Sequence, residues 1–250
     1  MADKHIIDAM WDDSPIDVST EVNFIWSIAN KLRGTYQSDK YKDVIIPMVI
    51  IRRFECALAP TKAKVVEMFK ANPNYPAKAM YRLSGFQFYN TSEYDLAEVV
   101  NDSDHLAANF KAYIQGFSAN IQDIIRSLDF DTQIDKMDKN NRLLSVVKAF
   151  SELDLNPRTI DNVKMGYIFE ELIRKFSENA EAGDHYTGRD IIKLMVNILL
   201  AEGCDDIFDD GKVITVLDKT TPRLIQFHTL KNAVNPPFLG GFSIFNTVVA

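Results

Sequence analysis

The segment Val213-Ile-Thr-Val-Leu-Asp218 decides the fold class, because it is where a long helical pattern gives way to a strand. A short, continuous apolar run of this kind is expected for a strand that is buried on both faces of an α/β sheet. Before it, Thr187 and Asp190 have the spacing of a capping box, and apolar residues recur at helical spacing as far as Leu200. These signals predict that a second, α/β domain begins near residue 181.

The preceding part of the chain, residues 17–180, is almost entirely helical in pattern. In its first helix the apolar residues recur at intervals of three and four, with Ser19 or Thr20 as the expected N-cap and Gly34 as the expected stop. Pro47 lacks a backbone donor, so it bends the second helix unless that helix begins close to it. Further helices are predicted over residues 38–58, 61–71, 92–100, 103–113, 119–128, 139–150 and 159–176.

Three segments lack a clear helical period. Residues 1–16 are expected to form a partly ordered arm, and residues 84–90 fit either a short strand or an irregular connection. The tail, residues 219–250, holds three of the 28 Lys and Arg residues and none of the 35 Asp and Glu residues. Because its composition differs so sharply from the rest of the chain, we expect this tail to be poorly ordered.

Composition restricts the possible functions. The chain has 250 residues, 46% of them hydrophobic, which is ample for a buried core. Its formal charge of -7 argues against gripping nucleic acid through bulk positive potential, so any DNA contact must be local or shared with a partner. The apolar runs are too short to span a bilayer, and Cys56 and Cys204 form neither a disulfide framework nor a zinc pattern. We expect a cytoplasmic protein without a metal site.

Several segments occur in the same order in a known family. They read Phe24-Ile-Trp-Ser-Ile-Ala-Asn-Lys-Leu-Arg-Gly34, Lys40-Tyr-Lys-Asp-Val-Ile-Ile-Pro47, Met165-Gly-Tyr-Ile-Phe-Glu-Glu-Leu-Ile-Arg-Lys-Phe-Ser-Glu178 and Gly183-Asp-His-Tyr-Thr-Gly-Arg189, followed by the strand that ends at Asp218. This succession resembles the N-terminal part of the modification (methyltransferase) subunit of type I restriction-modification systems. The resemblance implies methyl transfer from S-adenosylmethionine to adenine N6 in DNA, within a complex that also holds a specificity subunit and a restriction subunit.

With this resemblance, the predicted fold is mainly α. A multi-helical N-terminal domain over residues 17–180 is followed, over residues 181–218, by the first helix and strand of a truncated, Rossmann-like α/β methyltransferase domain. In the family, the helical domain packs against the specificity subunit and the catalytic domain and helps to embrace DNA. The tail after Asp218 is outside the family pattern.

The resemblance assigns S-adenosylmethionine binding to His185, Tyr186 and Thr187, with Asp218 at the end of the strand. The assignment is physically reasonable, because backbone N–H groups at a helix start can meet the donor's carboxylate while an aromatic ring supplies apolar contact. Thr187 acting only as a helix cap is an equal alternative. Gly188 stands where the family usually has Pro, which makes this turn less rigid.

The tetrapeptide Asn235-Pro236-Pro237-Phe238 is identical to the family's catalytic motif. There, Asn and Pro oxygens accept hydrogen bonds from the adenine amine, and Phe stacks on the flipped base. Its context differs from the family's, because no glycine occurs between Asp218 and Gly240 to form the donor loop. Only 16 residues separate Asp218 from Asn235, little more than one crossover connection. We favour a nonfunctional motif.

The sequence therefore predicts a methyltransferase-subunit fragment that keeps the helical interaction domain, does not bind the donor and is inactive alone. The alternative is a non-catalytic binding module that docks on a specificity subunit or on DNA. For the pair Arg52 and Arg53, a solvated helix face is favoured over a phosphate contact.

Overall fold

The computed structural model describes residues 16–177 and the backbone of residues 213–218 and 223–228. The first range is helical and the other two are strands, and the strands belong to a different compact unit from the helices. The helices are α1 (Ser19–Ala29), α2 (Lys42–Leu58), α3 (Lys62–Ala71), α4 (Ala77–Ser84), α5 (Leu96–Asn101), α6 (Leu106–Gln115), α7 (Ala119–Ser127), α8 (Phe130–Lys139), α9 (Leu143–Glu152) and α10 (Asn162–Ser177). Short 3-10 turns occur at Asn30–Leu32 and Ser38–Lys40. The mainly helical fold is confirmed for this part of the chain.

Helix α1 follows its apolar pattern. Its buried residues are Val22, Ile25, Ile28 and Ala29, and the chain turns at Gly34, whose φ of 86° suits glycine. The expected N-cap was wrong, because Val18 occupies that position and makes no side-chain capping hydrogen bond. Helix α1 packs against α10, where the rings of Trp26 and Phe176 are 5.4 Å apart.

Helix α2 is the centre of the helical domain. From Pro47 to Leu58, every residue except Arg52 is buried, as expected for a helix surrounded by other helices. It packs against α8 and α9, and the ring of Phe54 lies 4.6 Å from that of Phe88. Pro47 lies in its second turn, because the helix begins at Lys42 after the 3-10 turn.

Two helices were not predicted. Helix α4 has only eight residues and buries only Met80 and Ser84, so it shows no long apolar stripe. Helix α8 is strongly polar, and only Phe130, Ile134 and Met137 are buried. Both helices lie in segments where the apolar periodicity predicted no helix.

Residues with left-handed backbone conformations mark several helix boundaries. Asp129, at φ 48°, separates α7 from α8, and Asn141, at φ 54°, delays the start of α9 to residue 143. Gly85, at φ 78°, ends α4. Beyond it, the chain to residue 90 forms an irregular connection with one isolated bridge, from Asn90 to Phe117. The irregular alternative for residues 84–90 is therefore the one observed.

The strands are β1 (Val213–Asp218) and β2 (Arg223–His228), which pair antiparallel with Val213 opposite His228 and Asp218 opposite Arg223. Strand β1 was predicted; β2 was not, and it lies in the tail that was expected to be poorly ordered. A connection of four residues can join antiparallel strands but is too short for a crossover between parallel strands. The predicted helix over residues 187–200 lies outside the described residues.

In the part of the chain that the structure describes, no helix is both long and apolar enough to cross a membrane.

Candidate functional site

The residues predicted for donor binding and catalysis are only partly described. His185, Tyr186, Thr187 and Asn235-Pro236-Pro237-Phe238 lie outside the described residues, so their assignment stays a prediction. Asp218 is the last residue of β1, opposite Arg223. The described residues therefore do not test the predicted site, and the polar chemistry that they show lies in the helical domain.

Arg53 is buried, at 6% exposure, in the centre of that domain. Its Nη1 atom donates to the carbonyl oxygens of Leu155 at 2.8 Å and Ile160 at 2.6 Å, and its Nη2 atom donates to Asn162 Oδ1 at 3.0 Å. All three acceptors belong to the segment that leads into α10. The expectation of a solvated face at Arg53 was wrong, because the segment after α9 folds back over α2 and covers it.

Arg52 also binds this segment. Its Nε atom donates to the Leu153 carbonyl at 2.7 Å, and its guanidinium forms an ion pair with Glu55, so the solvated-face expectation is wrong here too. Glu55 is buried, and its Oε2 atom accepts a hydrogen bond from the Leu96 backbone N–H at 2.8 Å. One carboxylate thus links the segment after α9, through Arg52, to the first residue of α5.

Tyr113 and Lys62 extend the network into α6 and α3. The Tyr113 hydroxyl is hydrogen-bonded to Glu55, and burial together with that carboxylate raises the pKa of Tyr113 well above its usual value. The Lys62 ammonium donates to the Tyr94 carbonyl and lies 5.3 Å from the centre of the Tyr113 ring. Burial lowers the pKa of Lys62, and Glu55 opposes this shift.

This buried network stabilises the helical domain and lacks the properties of a catalytic site. Among the described residues, no buried side-chain nitrogen or oxygen lacks a hydrogen-bond partner. A carboxylate already occupied by Arg52, Leu96 and Tyr113 is poorly placed to exchange protons with a substrate. The sequence signal was visible, because charged residues interrupt the otherwise apolar α2, and charges inside an apolar run are usually paired.

Cys56, in the same helix, is a buried thiol. Burial raises its pKa, so the thiol stays protonated and unreactive near neutral pH. Within the described residues, no group of three or more His, Cys, Asp or Glu side chains could hold a metal ion.

A positively charged surface lies where the turn after α1 meets the end of α8. Three contacts join the two parts: the Tyr36 hydroxyl donates to the Gln133 carbonyl at 3.3 Å, the Lys136 ammonium lies 4.1 Å from the Tyr36 ring centre, and Arg142 Nε donates to Thr35 Oγ1 at 3.5 Å. We call this surface the basic face and define it by Lys31, Arg33, Lys40, Lys136, Lys139 and Arg142.

The acids around the basic face are fewer than its bases. Asp39 pairs with Lys40 at 3.7 Å, Asp135 pairs with Lys111 at 2.6 Å, and Asp138 is exposed. Asp43 is half-buried, and burial raises its pKa, an effect that Lys40 and Lys42 oppose. Local clusters of Lys and Arg are what a protein of net negative charge needs in order to contact phosphates. The basic face therefore has the local excess of positive charge that a phosphate contact needs.

Comparison with known proteins identifies the family. The HsdM N-terminal domain family matches residues 22–150, which are α1 to α9 almost to the end, and the chain belongs to this family. A curated relative, the type I restriction enzyme MjaIX methylase subunit of Methanocaldococcus jannaschii, is 23% identical over 234 aligned residues. The match covers 83% of this chain and 41% of that protein, so the chain spans less than half the length of its relative. The resemblance to the N-terminal part of a modification subunit is confirmed.

Proposed function

We propose that this chain acts as the N-terminal part of a type I restriction-modification methyltransferase subunit, whose role is to bind DNA and the specificity subunit. The observation that carries the proposal is the family match over residues 22–150, which coincides with the described helical domain. The relative's name, a methylase subunit of a type I restriction enzyme, supports the same role. The activity of the whole complex, methylation of adenine N6 with S-adenosylmethionine, belongs to this proposal, as do the restriction subunit as a further partner and a cytoplasmic location.

The basic face is the proposed DNA contact. Lys31, Arg33 and Lys40 are exposed, and Arg33 is held by its hydrogen bond to Asn30 Oδ1 at 3.3 Å. Phosphate contacts position a protein on a duplex without reading its sequence, which suits a subunit whose partner selects the target. Because the chain carries a net charge of -7, the contact must be confined to such a surface.

Methyl transfer by this chain alone is not part of the proposal. After Asp218 the chain enters β2 within five residues, and no glycine occurs between Asp218 and Gly240 to give a donor loop. A backbone that must approach a nucleoside closely depends on such glycines. The tetrapeptide at residues 235–238 follows β2 after only six residues, which supports treating the motif as inactive.

The second candidate function is a non-catalytic module that docks on a specificity subunit or on DNA. Calorimetry with S-adenosylmethionine tests the premise that both candidates share: neither expects saturable heat with this chain alone, and both expect co-purification of a specificity subunit. Saturable binding in the micromolar range, or labelled methyl groups on duplex adenine with this chain alone, would show that the donor site is intact.

The DNA contact has its own test, based on salt dependence. The double variant Lys31→Ala with Arg33→Ala should weaken duplex binding and reduce the slope of log affinity against log salt by about 1.8, because each lost phosphate contact removes about 0.9. Lys148→Ala, an exposed lysine on α9 outside the basic face, is the control. An unchanged slope would remove the basic face from the proposal.

A further inference from the structure

A second positively charged surface lies on α4 and shares no residue with the basic face. Lys78 and Arg82 are exposed, and Tyr81 between them is half-buried. Their spacing of three and four residues places all three on one side of α4, while Met80 and Ser84 are the residues that this helix buries. The ring centre of Tyr89 lies 5.5 Å from that of Tyr81 at an interplanar angle of 47°.

We call Lys78, Tyr81, Arg82 and Tyr89 the tyrosine surface. No acidic residue lies near these bases in the sequence, because no Asp or Glu occurs between Glu67 and Glu93. In a protein with more acids than bases, this 25-residue stretch is an exception. Lys70, the remaining base of the stretch, already pairs with Glu93 at 2.8 Å.

The backbone that carries Tyr89 is held in place from two directions. Tyr89 N–H donates to Ser118 Oγ at 3.3 Å, and Ser118 N–H donates to the Tyr89 carbonyl at 3.0 Å. Ser84 Oγ lies 2.8 Å from the Phe88 carbonyl oxygen and accepts from the Phe86 N–H at 3.2 Å. Although residues 84–90 are irregular, Tyr89 is therefore presented by a backbone with defined hydrogen bonds.

We propose that the tyrosine surface binds an unpaired nucleic-acid strand, with a base stacked on Tyr81 or Tyr89 and the phosphates beside Lys78 and Arg82. Half-exposed aromatic rings flanked by cations are the combination by which proteins hold single strands. A duplex keeps its base faces inside the stack, so the rings would add nothing to duplex binding. This proposal is independent of the basic face, because the basic face is proposed to contact the phosphates of a duplex and shares no residue with the tyrosine surface.

The experiment is fluorescence anisotropy with the whole 250-residue chain, a labelled oligothymidylate and a labelled duplex of equal length, at several salt concentrations. Lys78→Ala with Arg82→Ala should reduce the salt slope for the single strand by about 1.4, at about 0.7 for each phosphate contact. The matched control is Lys148→Ala with Arg158→Ala, which also removes one exposed lysine and one exposed arginine, but from α9 and the segment after it, outside both basic surfaces. The control should leave oligothymidylate binding unchanged.

Substitution of a tyrosine provides a second test, which does not depend on charge. Tyr81→Ala should weaken oligothymidylate binding about five-fold or more without changing the salt slope, whereas Tyr81→Phe should retain the affinity because it retains the ring. Circular dichroism and the unfolding midpoint of each variant exclude loss of fold as the cause.

Two outcomes overturn the proposal. One is an unchanged affinity of Tyr81→Ala for oligothymidylate. The other is displacement of the oligothymidylate by polyglutamate at an equal concentration of charge, because the surface would then serve an acidic protein partner. The test of the basic face measures duplex binding by Lys31→Ala with Arg33→Ala, whereas the test of the tyrosine surface measures oligothymidylate binding by Lys78→Ala with Arg82→Ala. A negative result in the first test therefore does not contradict the second proposal.

Discussion

Oε2 of Glu55 lies 2.8 Å from the backbone nitrogen of Leu96, although the two residues are 41 positions apart in sequence. Helix α5 begins at Leu96 and has only six residues, so it needs its first N–H groups satisfied. Asp95 and Glu98 complete a capping box there, with each carboxylate 2.8 Å from the other residue's backbone nitrogen. Three carboxylates thus stabilise the start of one short helix, and one of them comes from the centre of the domain.

Glu55→Gln should lower the free energy of unfolding by about 3 kcal/mol. The amide is uncharged, so it no longer neutralises Arg52 and it accepts poorly from both Tyr113 and Leu96. Urea denaturation followed by circular dichroism measures the change. Glu171→Gln, which breaks a partly exposed ion pair with Arg174, is the control and should cost less than about 0.5 kcal/mol. Equal losses in the two variants would contradict the role given to burial.

Arg53→Lys should lower the free energy of unfolding by about 2 kcal/mol, because an ammonium group cannot reach all three of its acceptors with the geometry of a guanidinium. The loss should appear locally as faster hydrogen exchange in residues 153–162, whose carbonyls Arg53 binds. Arg158→Lys is the matched control, because Arg158 is exposed on the same segment. Unchanged exchange in Arg53→Lys would show that other contacts hold the segment.

Gly116→Ala should destabilise the domain by about 2 kcal/mol although its φ of -70° suits alanine. The added Cβ would lie 2.6 Å from Asn90 Oδ1 and 2.7 Å from the backbone nitrogen of Ser92. Gly166→Ala is the opposite case, because a Cβ there meets nothing within 4 Å and the residue is inside α10. That variant should gain roughly 0.5–1 kcal/mol from helix propensity. Thermal unfolding of the pair tests both signs, and a stabilised Gly116→Ala would contradict the packing at Asn90.

Tyr36 should make stability depend on pH in the alkaline range. Burial, with the Asp43 carboxylate nearby, raises the pKa of Tyr36 from 10.0 to about 12. A raised folded-state pKa gives stability that is fully present below pH 10.0 and is lost as the pH rises to about 12. The neutral hydroxyl also donates to the Gln133 carbonyl, which an ionised one cannot do.

The measurement for Tyr36 compares the free energy of unfolding of two chains and follows how their difference changes with pH. Denaturation of the unaltered chain and of Tyr36→Phe at pH 8, 10 and 11 should give a difference that is constant up to pH 10 and shrinks above it. The ionisation of lysines cancels, because both chains share them. A difference that does not change with pH would mean that Tyr36 ionises in the folded protein as readily as in the unfolded one.

The sequence was sufficient where a periodic apolar stripe was long enough. Helices α1 and α2 have such stripes, whereas α4 buries only Met80 and Ser84 and α8 is polar apart from three residues. Strand β1 is a continuous apolar run and was predicted. Strand β2 contains Arg223, Gln226 and His228 among its apolar residues and lacks that pattern, so its pairing with β1 gave no comparable signal.

The polar chemistry was harder to predict, because it depends on contacts between distant residues. Nothing local to Arg53 shows that carbonyls more than 100 residues later will cover it. The lack of acids between Glu67 and Glu93 was visible in the sequence, but the contact between Tyr81 and Tyr89 depends on an irregular turn that periodicity cannot specify. The donor and catalytic assignments came from family resemblance and lie largely outside the described residues.

Arg53 is bound by carbonyl oxygens and one amide rather than by a carboxylate, and it is shielded from solvent. Its guanidinium keeps its proton at any physiological acidity, and dissolved ions screen buried hydrogen bonds much less than exposed charge pairs. Attachment of the segment before α10 should therefore persist in concentrated electrolyte that dissociates the protein from phosphates. Dissociation of the proposed DNA contact by salt would therefore leave the interior of the domain intact.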